Sequence, residues 1–435
     1  MTMKLTRRGM IKVSAAAAAG VWLAAGPRIL RARGANDKLN VACIGICGQG
    51  GASVGGTSGE NIVALCDVDD KRASKQYEKH PSAKKFFDFR KMFDQMDKEI
   101  DAVTVATPDH THFHASMWAL QRGKHLFCEK PMAHNVWEAR QMTDLAREKK
   151  VATQLGVQRH MIPGIHRTVE LIKSGAIGRV TEVYSWISSV RGMYPDPTDF
   201  PPVPETLKWD LWLGPAPEHK YTLYTTGSGG LCPYGWRFWW NYGTGEAGNW
   251  GCHILDIPFW ALDLAHPTRV DATGPEVDAK KTPKSFSSKF LFPAGGKRGP
   301  VTLHWLQGVP GILKEKGITG GGNNLFIGTE GILSCGFGSP TLLPKEKFQD
   351  FKAPPKSIPD SPGFHQEWIM AAKGGKTPAT CNFDYSGPMA ETVLLANVAY
   401  RSGGGFDWDS KNLKTVGNDK AQALIREHFR KGWEM

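Results

Sequence analysis

The sequence predicts an α/β protein with two unlike sheets. A doubly wound parallel sheet fills the N-terminal part, and a C-terminal α+β domain carries an open, mainly antiparallel sheet. Three observations carry this reading. Short apolar runs alternate with helical patterns as far as residue 156, the rhythm of a parallel sheet wound with helices. A glycine-rich turn follows the first run directly. Past Gln158 the apolar segments are separated by turns instead of helices, which favours antiparallel pairing. At 435 residues the chain exceeds one simple core. The expected organisation is a leader over residues 1–34, a first domain over 37–158 and a second over 159–435.

The leader reads as an export signal. Thr6-Arg7-Arg8-Gly9-Met10-Ile11-Lys12 precedes an apolar stretch at residues 13–25, the pattern of a twin-arginine signal. The stretch is too short for a stable membrane span. A periplasmic or cell-envelope location is expected, with no stable membrane insertion. Net charge is +12, and Lys4, Arg7, Arg8, Lys12, Arg28, Arg31 and Arg33 all lie in this leader, which holds no acid. The remaining cations are interspersed with acids, so no nucleic-acid partner is expected. The eight cysteines include no CxxC pair. Neither a disulfide framework nor a zinc site is expected.

The first strand, residues 39–46, runs into Gly45-Ile46-Cys47-Gly48-Gln49-Gly50-Gly51. The second, residues 62–66, ends at Asp67. The 22-residue step from Gly45 to Asp67 matches the spacing between a dinucleotide glycine turn and its ribose acid in a Rossmann unit. Glycines let the backbone approach a pyrophosphate, and a helix start supplies N–H donors. An acid at 67 repels a 2′-phosphate, so NAD is expected over NADP. Cys47 replaces the second glycine of the fingerprint, and Gly48 can take over its close approach. The following segment is rich in glycine, so its helix should be short.

The alternation continues. A helix is expected at residues 71–79, a strand at 102–106, and a helix at 114–122. A strand at 125–128, a helix at 136–149 and a strand at 151–156 follow. Asp109, His110, His112 and Lys130 then follow strand ends on one edge, where open α/β sheets bind ligands. The spacing of His110, His112 and His114 fits no standard metal motif, and no metal is expected. A lysine in a partly dry crevice has its pKa lowered and can carry a proton near neutrality.

In the second domain a helix is expected at 163–174. Strands follow at 180–188, 269–273, 287–292, 301–306, 324–327 and 332–335. Helices at 364–372 and 388–401 close the chain. Such a sheet leaves one face for an oligomer partner, so a homo-oligomer, dimer or tetramer, is expected. Residues 191–208 and 317–324 are expected to be loops, either covering a site or lying plainly on the surface. Arg237-Phe238-Trp239-Trp240-Asn241-Tyr242 is unusually aromatic, with Trp209, Trp212, Trp236 and Trp250 nearby. Flat rings bind the C–H faces of sugars while polar neighbours read hydroxyls. Trp236, Arg237 and Trp240 are therefore candidate sugar contacts. Arg159 and His160, at the domain junction, are candidates for the same crevice.

The motifs together resemble the glucose–fructose oxidoreductase / inositol dehydrogenase / rhizopine-catabolism (Gfo/Idh/MocA) family, in a secreted bacterial branch. They are Val41-Ala42-Cys43-Ile44-Gly45, Asp67, Thr107-Pro108-Asp109-His110-Thr111-His112, Gly123-Lys124-His125-Leu126-Phe127-Cys128-Glu129-Lys130-Pro131 and Gly248-Asn249-Trp250-Gly251-Cys252-His253-Ile254-Leu255-Asp256. The resemblance implies that Lys130 contacts a substrate hydroxyl and the nicotinamide, and that Pro131 follows a cis bond. It implies that His253 works with Lys130, that Asn249 reads a sugar hydroxyl, and that Thr107, Pro108, His112 and Glu129 join Gly45, Cys47, Gly48, Gly50 and Asp67 around the cofactor. Family members often carry Asp where Asn249 stands. Asn can orient a hydroxyl but holds no negative charge beside Lys130. The leading expectation is an NAD-dependent oxidoreductase moving hydride between a sugar or polyol and a tightly bound nicotinamide. An NAD-dependent glycosidase that oxidises its sugar transiently is the second reading. A non-catalytic carbohydrate-binding protein is the third.

Overall fold

Short apolar runs become the first sheet because both of its faces are covered by helices. The computed structural model describes residues 37–296, 298–319 and 322–435, and the export-signal reading lies outside them. The strands are β1 (Asn40–Ile44), β2 (Asn61–Cys66), β3 (Lys84–Phe86), β4 (Ala102–Val105), β5 (His125–Glu129) and β6 (Thr153–Gly156). They pair in parallel in the order β3-β2-β1-β4-β5-β6. The order reverses between β1 and β4, so the carboxyl ends of these two strands open a crevice.

The crossover helices are α1 (Gln49–Gly56), α2 (Asp70–Lys79), α3 (Phe89–Met96), α4 (Asp109–Gln121) and α5 (Val136–Lys149). Asp69 and Asp88 cap α2 and α3 by accepting from the backbone. Asn135 and Glu138 form a capping box on α5. Each such cap is worth about 1 kcal/mol. α4 begins five residues before the expected start at residue 114. Eleven of its thirteen residues are buried, so no apolar stripe marks its first turn.

The second sheet contains β7 (Val180–Ile187), β8 (Arg269–Thr273), β9 (Ser287–Phe292), β10 (Val301–Gln307), β11 (Asn324–Gly328), β12 (Ile332–Cys335), β13 (Thr341–Leu343), β14 (Phe406–Asp409) and β15 (Lys414–Val416). Their order is β13-β12-β11-β7-β10-β9-β8-β14-β15. Only β7 and β10 pair in parallel; the other neighbours are antiparallel. β10 alternates buried and half-buried residues, as a sheet with one covered face requires. The short strands β13, β14 and β15, at or next to the two edges, carried too little pattern to be foreseen.

The helices of this part are α6 (Pro163–Lys173), α7 (Trp209–Leu213), α8 (Cys252–Ala261), α9 (Ile312–Glu315), α10 (Phe364–Ala372), α11 (Phe383–Arg401) and α12 (Asp419–Ile425). α11 starts at a cap on Asn382, ahead of the expected start at residue 388, and holds Pro388 inside it. It packs on α5, where Arg140 donates to buried Glu391 at 2.6 and 2.8 Å. This pair ties the end of the chain to the first sheet. The eight cysteines are free. No helix among the described residues is long and apolar enough to cross a membrane.

Candidate active site

A cleft of about 540 Å³ opens at the carboxyl ends of β1, β2, β4 and β5. Its first end is made by the turn between β1 and α1. Gly45 has φ +73°, and a Cβ there would lie 2.8 Å from the Ala106 carbonyl. A Cβ on Gly50 would come within 1.7 Å of Gly45 O. The turn is thus closed on itself at these two glycines. Gly48, with φ +56°, has open space on the side where a Cβ would stand. Cys47 fills the second glycine position without a left-handed backbone.

Asp67 aims back at the same turn. Its Oδ2 accepts from Ile46 N at 2.9 Å, and Oδ1 accepts from Asp69 N at 3.0 Å. Burial raises its pKa, and these N–H donors and the Cys47 thiol oppose that rise. The N–H groups of Gly48 and Gln49, at the start of α1, have no acceptor among the described residues. Free donors at a helix start beside a bare glycine fit a pyrophosphate. Lone pairs remaining on Asp67 fit ribose hydroxyls. The residues present therefore suit a dinucleotide. Thr107 and Pro108 line the wall between the two ends. His112 does not reach the cleft; its Nε2 lies 2.7 Å from the Thr107 carbonyl and braces that wall from behind.

The second end is built from side chains. Lys130 directly follows β5, and the Lys130–Pro131 peptide is cis. Its Nζ donates to the Asn249 carbonyl at 2.8 Å and to Asn249 Oδ1 at 3.0 Å. Asn249 sits in one wide π-turn, Ala247–Gly251, that leads into α8. Such a turn releases carbonyls from the regular helical ladder, which makes the Asn249 carbonyl available. Asn249 Nδ2 donates to buried Glu246 Oε2 at 3.0 Å. Glu246 Oε1 accepts from Arg191 Nε at 2.5 Å and from Ser189 Oγ at 3.0 Å. The Glu246 contact fixes which way the Asn249 amide faces: its oxygen meets Lys130.

Burial, then the nearby Arg237 cation, lowers the Lys130 pKa; Asp109 and Glu129 oppose this. Glu129 lies beside it and accepts from Gln158 Nε2 at 2.6 Å and Gln49 Nε2 at 3.2 Å. Burial lifts the Glu129 carboxyl to about 7. Asp109 accepts from Thr244 N and Oγ1 at 3.1 and 2.7 Å, which clamps the start of α4 to the second part of the chain. Arg237 and Trp236 line this end with Tyr234 and Trp212.

Other expected contacts are placed elsewhere. His160 is fully buried behind the site. Its Nδ1 lies 2.9 Å from both Asp256 oxygens, and its ring stacks on Trp260 at 4.0 Å. It is a packing residue there, not a cleft contact. Trp240 turns into the core and donates to the Asp278 carbonyl at 3.1 Å. Arg159 lies over Phe337 at 4.2 Å and over Trp250, outside the cleft lining. His253 is half-buried against Trp250 and also lies outside that lining. Burial, Lys130 and Arg159 hold its pKa well below the usual histidine value, so it is neutral. Of the expected cover loops, Pro204 and Leu207 reach the cleft, and none of the described residues of 317–324 does. His110 and His114 reach separate backbone carbonyls, of Trp212 and Trp433, so the histidine triplet does not converge on one point.

Glu246, Arg191 and Tyr234 carried no sequence signal. Glu246 stands three residues before Asn249, a helical step, but nothing marked that stretch as helical.

The chain belongs to the Gfo/Idh/MocA oxidoreductase family. Residues 39–157 match its NAD-binding Rossmann-fold model, and residues 176–435 match its C-terminal alpha/beta domain. Levoglucosan dehydrogenase of Pseudarthrobacter phenanthrenivorans is 33% identical over 107 residues, 25% of each chain. Inositol 2-dehydrogenase of Salmonella typhimurium is 28% identical over 129 residues, 29% of this chain and 38% of that one. The match to the first curated relatives spans only about a quarter of their length. Among solved structures, the WlbA dehydrogenase of Bordetella pertussis, in complex with NADH and UDP-GlcNAcA, superposes with a TM-score of 0.59 at 16% identity. It covers 85% of this chain and 98% of that one.

Proposed function

We propose that this protein is an NAD-dependent oxidoreductase that moves a hydride between a sugar or polyol carbinol and a tightly held nicotinamide dinucleotide. One observation carries the reading: a half-buried lysine of lowered pKa, pinned by Asn249, shares a cleft with a glycine turn and its acid. The bound nicotinamide would accept or return the hydride. In its deprotonated form, which the lowered pKa favours, Lys130 takes the hydroxyl proton as the carbinol carbon loses its hydride, and returns it in the reverse direction. Asn249 holds Nζ in place and has a carbonyl face for a substrate hydroxyl. His253 stays outside the cleft lining and is coupled to Lys130 through electrostatics alone. Trp236 lines the same end and carries the Arg237 guanidinium on its ring.

Asp67 supports NAD over NADP, because a buried acid repels a 2′-phosphate. The relatives named for levoglucosan and inositol support a sugar or polyol. The Arg7-Arg8 signal supports export to the periplasm or cell envelope by the twin-arginine route, which moves folded proteins with cofactor aboard. The half-covered nine-stranded sheet supports a homodimer or tetramer.

The test is direct. Denaturing the purified protein should release NAD(H), and a screen of sugars and glycosides should then show nicotinamide reduction. Absence of any nucleotide affinity would refute the reading. Aglycone release without net reduction would convert it to redox-assisted glycoside cleavage.

A further inference from the structure

Arg237 is a cation without a carboxylate. Its guanidinium lies 4.2 Å from the ring centres of both Tyr234 and Trp236. Nη1 donates to the Tyr234 carbonyl at 3.2 Å. That is its one hydrogen bond to protein among the described residues, and a guanidinium has five N–H donors. Neither neighbouring acid forms an ion pair with it among the described residues. Glu246 serves Arg191, Ser189 and Asn249, and Asp109 serves Thr244. Arg191, by contrast, is closed by Glu246 and the Tyr234 hydroxyl. Arg237 thus lines the Lys130 end of the cleft with open donors.

A half-buried cation with unmet donors is costly unless something pairs with it. The two aromatic faces offset part of that cost and hold the fork rigid. A rigid planar fork matches a carboxylate bidentately. One guanidinium also balances one negative charge, leaving Lys130 free to handle a hydroxyl proton.

We propose that Arg237 binds the carboxylate of a sugar acid, so that the substrate is a hexuronate or hexonate oxidised at a carbinol beside Lys130. The inference rests on the hydride-transfer reading and narrows its substrate class. In the reaction a carbinol C–H gives its hydride to the nicotinamide and the O–H proton goes to Lys130. The carboxylate keeps its charge throughout.

The test uses the protein as purified, with its bound nucleotide. Glucuronate, galacturonate, mannuronate and gluconate are compared with glucose, galactose, mannose, glucitol and glucose 6-phosphate. Both kcat/KM for nicotinamide reduction and calorimetric Kd are measured. At least one acid should exceed its neutral counterpart by about 10- to 150-fold, the span of a hydrogen-bonded charge. Arg237→Gln should bring that ratio close to one while NAD stays bound, and Arg237→Lys should fall between. The wild-type ratio and the Lys variant decide the matter if the Gln variant does not fold.

Four results overturn the proposal. They are no binding of any acid, a neutral sugar used as well as every acid, a preference for the phosphate over all acids, or loss of NAD from the Arg237 variants. The last would place Arg237 on a cofactor phosphate. A sugar acid that binds through Arg237 without hydride transfer would keep the Arg237 carboxylate site and remove the oxidoreductase reading. Neutral sugars oxidised without acid preference would do the reverse.

Discussion

The two ends of the cleft are made of different material. At the dinucleotide end the working groups are backbone: a turn closed by Gly45 and Gly50, and N–H donors at the start of α1. At the Lys130 end they are side chains brought from distant parts of the chain. Lys130 and Asn249 stand 119 residues apart, and Arg191, Glu246 and Arg237 join them. A backbone site fails when a side chain is added. A side-chain site fails when one is removed or its charge is moved. The comparison can be broken by doing each in turn.

The largest effect is expected at Lys130. Lys130→Met keeps most of the length and removes the amine. Turnover should fall about 100- to 10,000-fold, with bound NAD and thermal stability nearly unchanged. Steady-state kinetics and nucleotide content measure this, and full activity would remove Lys130 from the proposed chemistry.

Gly50→Ala tests the other end. The new Cβ would overlap Gly45 O, so the turn must open. Overpacking of this kind costs about 1–3 kcal/mol. The variant should purify with little NAD and melt earlier, whereas Lys130→Met should do neither. Equal NAD content in the two variants would erase the distinction between the ends.

The difference also explains what the sequence made legible. The parallel sheet, the glycine turn and Asp67 were readable because backbone sites leave residue types at fixed spacing. Lys130 was readable because it directly follows a strand. The network around it was not. Glu246 and Arg191 meet only through tertiary packing, and the π-turn that presents Asn249 has no local signature. His160 and Trp240 misled for a related reason. A histidine or tryptophan suited to a sugar site is equally suited to a core, and only their partners, Asp256 and Asp278, distinguish the two. α4 was misplaced because burial on all sides erased its period.

A smaller effect follows from Asn249. The negative charge absent from that position is supplied next door by Glu246. Asn249→Asp would set two carboxylates about 3 Å apart, where like charges resist ionising together. Turnover should fall about tenfold. The second change Glu246→Gln relieves the repulsion and should recover part of the loss, a coupling that a double-mutant cycle reports. In the double variant the carboxylate adjoins Nζ and raises the Lys130 pKa. Lys130 acts as a base only when deprotonated, so the rising limb of the pH profile should move to higher pH. A shift to lower pH would contradict the assignment of Lys130 as the base.

Cys47 should matter least, although it is the visible departure from the glycine fingerprint. Its side chain stands beside Asp67 and lines the cleft. Burial and that acid hold the thiol strongly protonated, with a pKa far above the ordinary value, so it acts as a small neutral neighbour. The conformational demands of the turn fall on Gly45, Gly48 and Gly50, and the backbone of Cys47 is not left-handed. Cys47→Gly should therefore change NAD affinity by no more than about threefold, because the Ile46 and Asp69 N–H groups still hold Asp67 in place without the thiol. The direction should be toward tighter binding, since the smaller residue opens space for the phosphates. Calorimetric titration of stripped protein with NAD measures it. A loss of tenfold or more would show that the thiol contact organises Asp67, and that this turn depends on a side chain as the Lys130 end does.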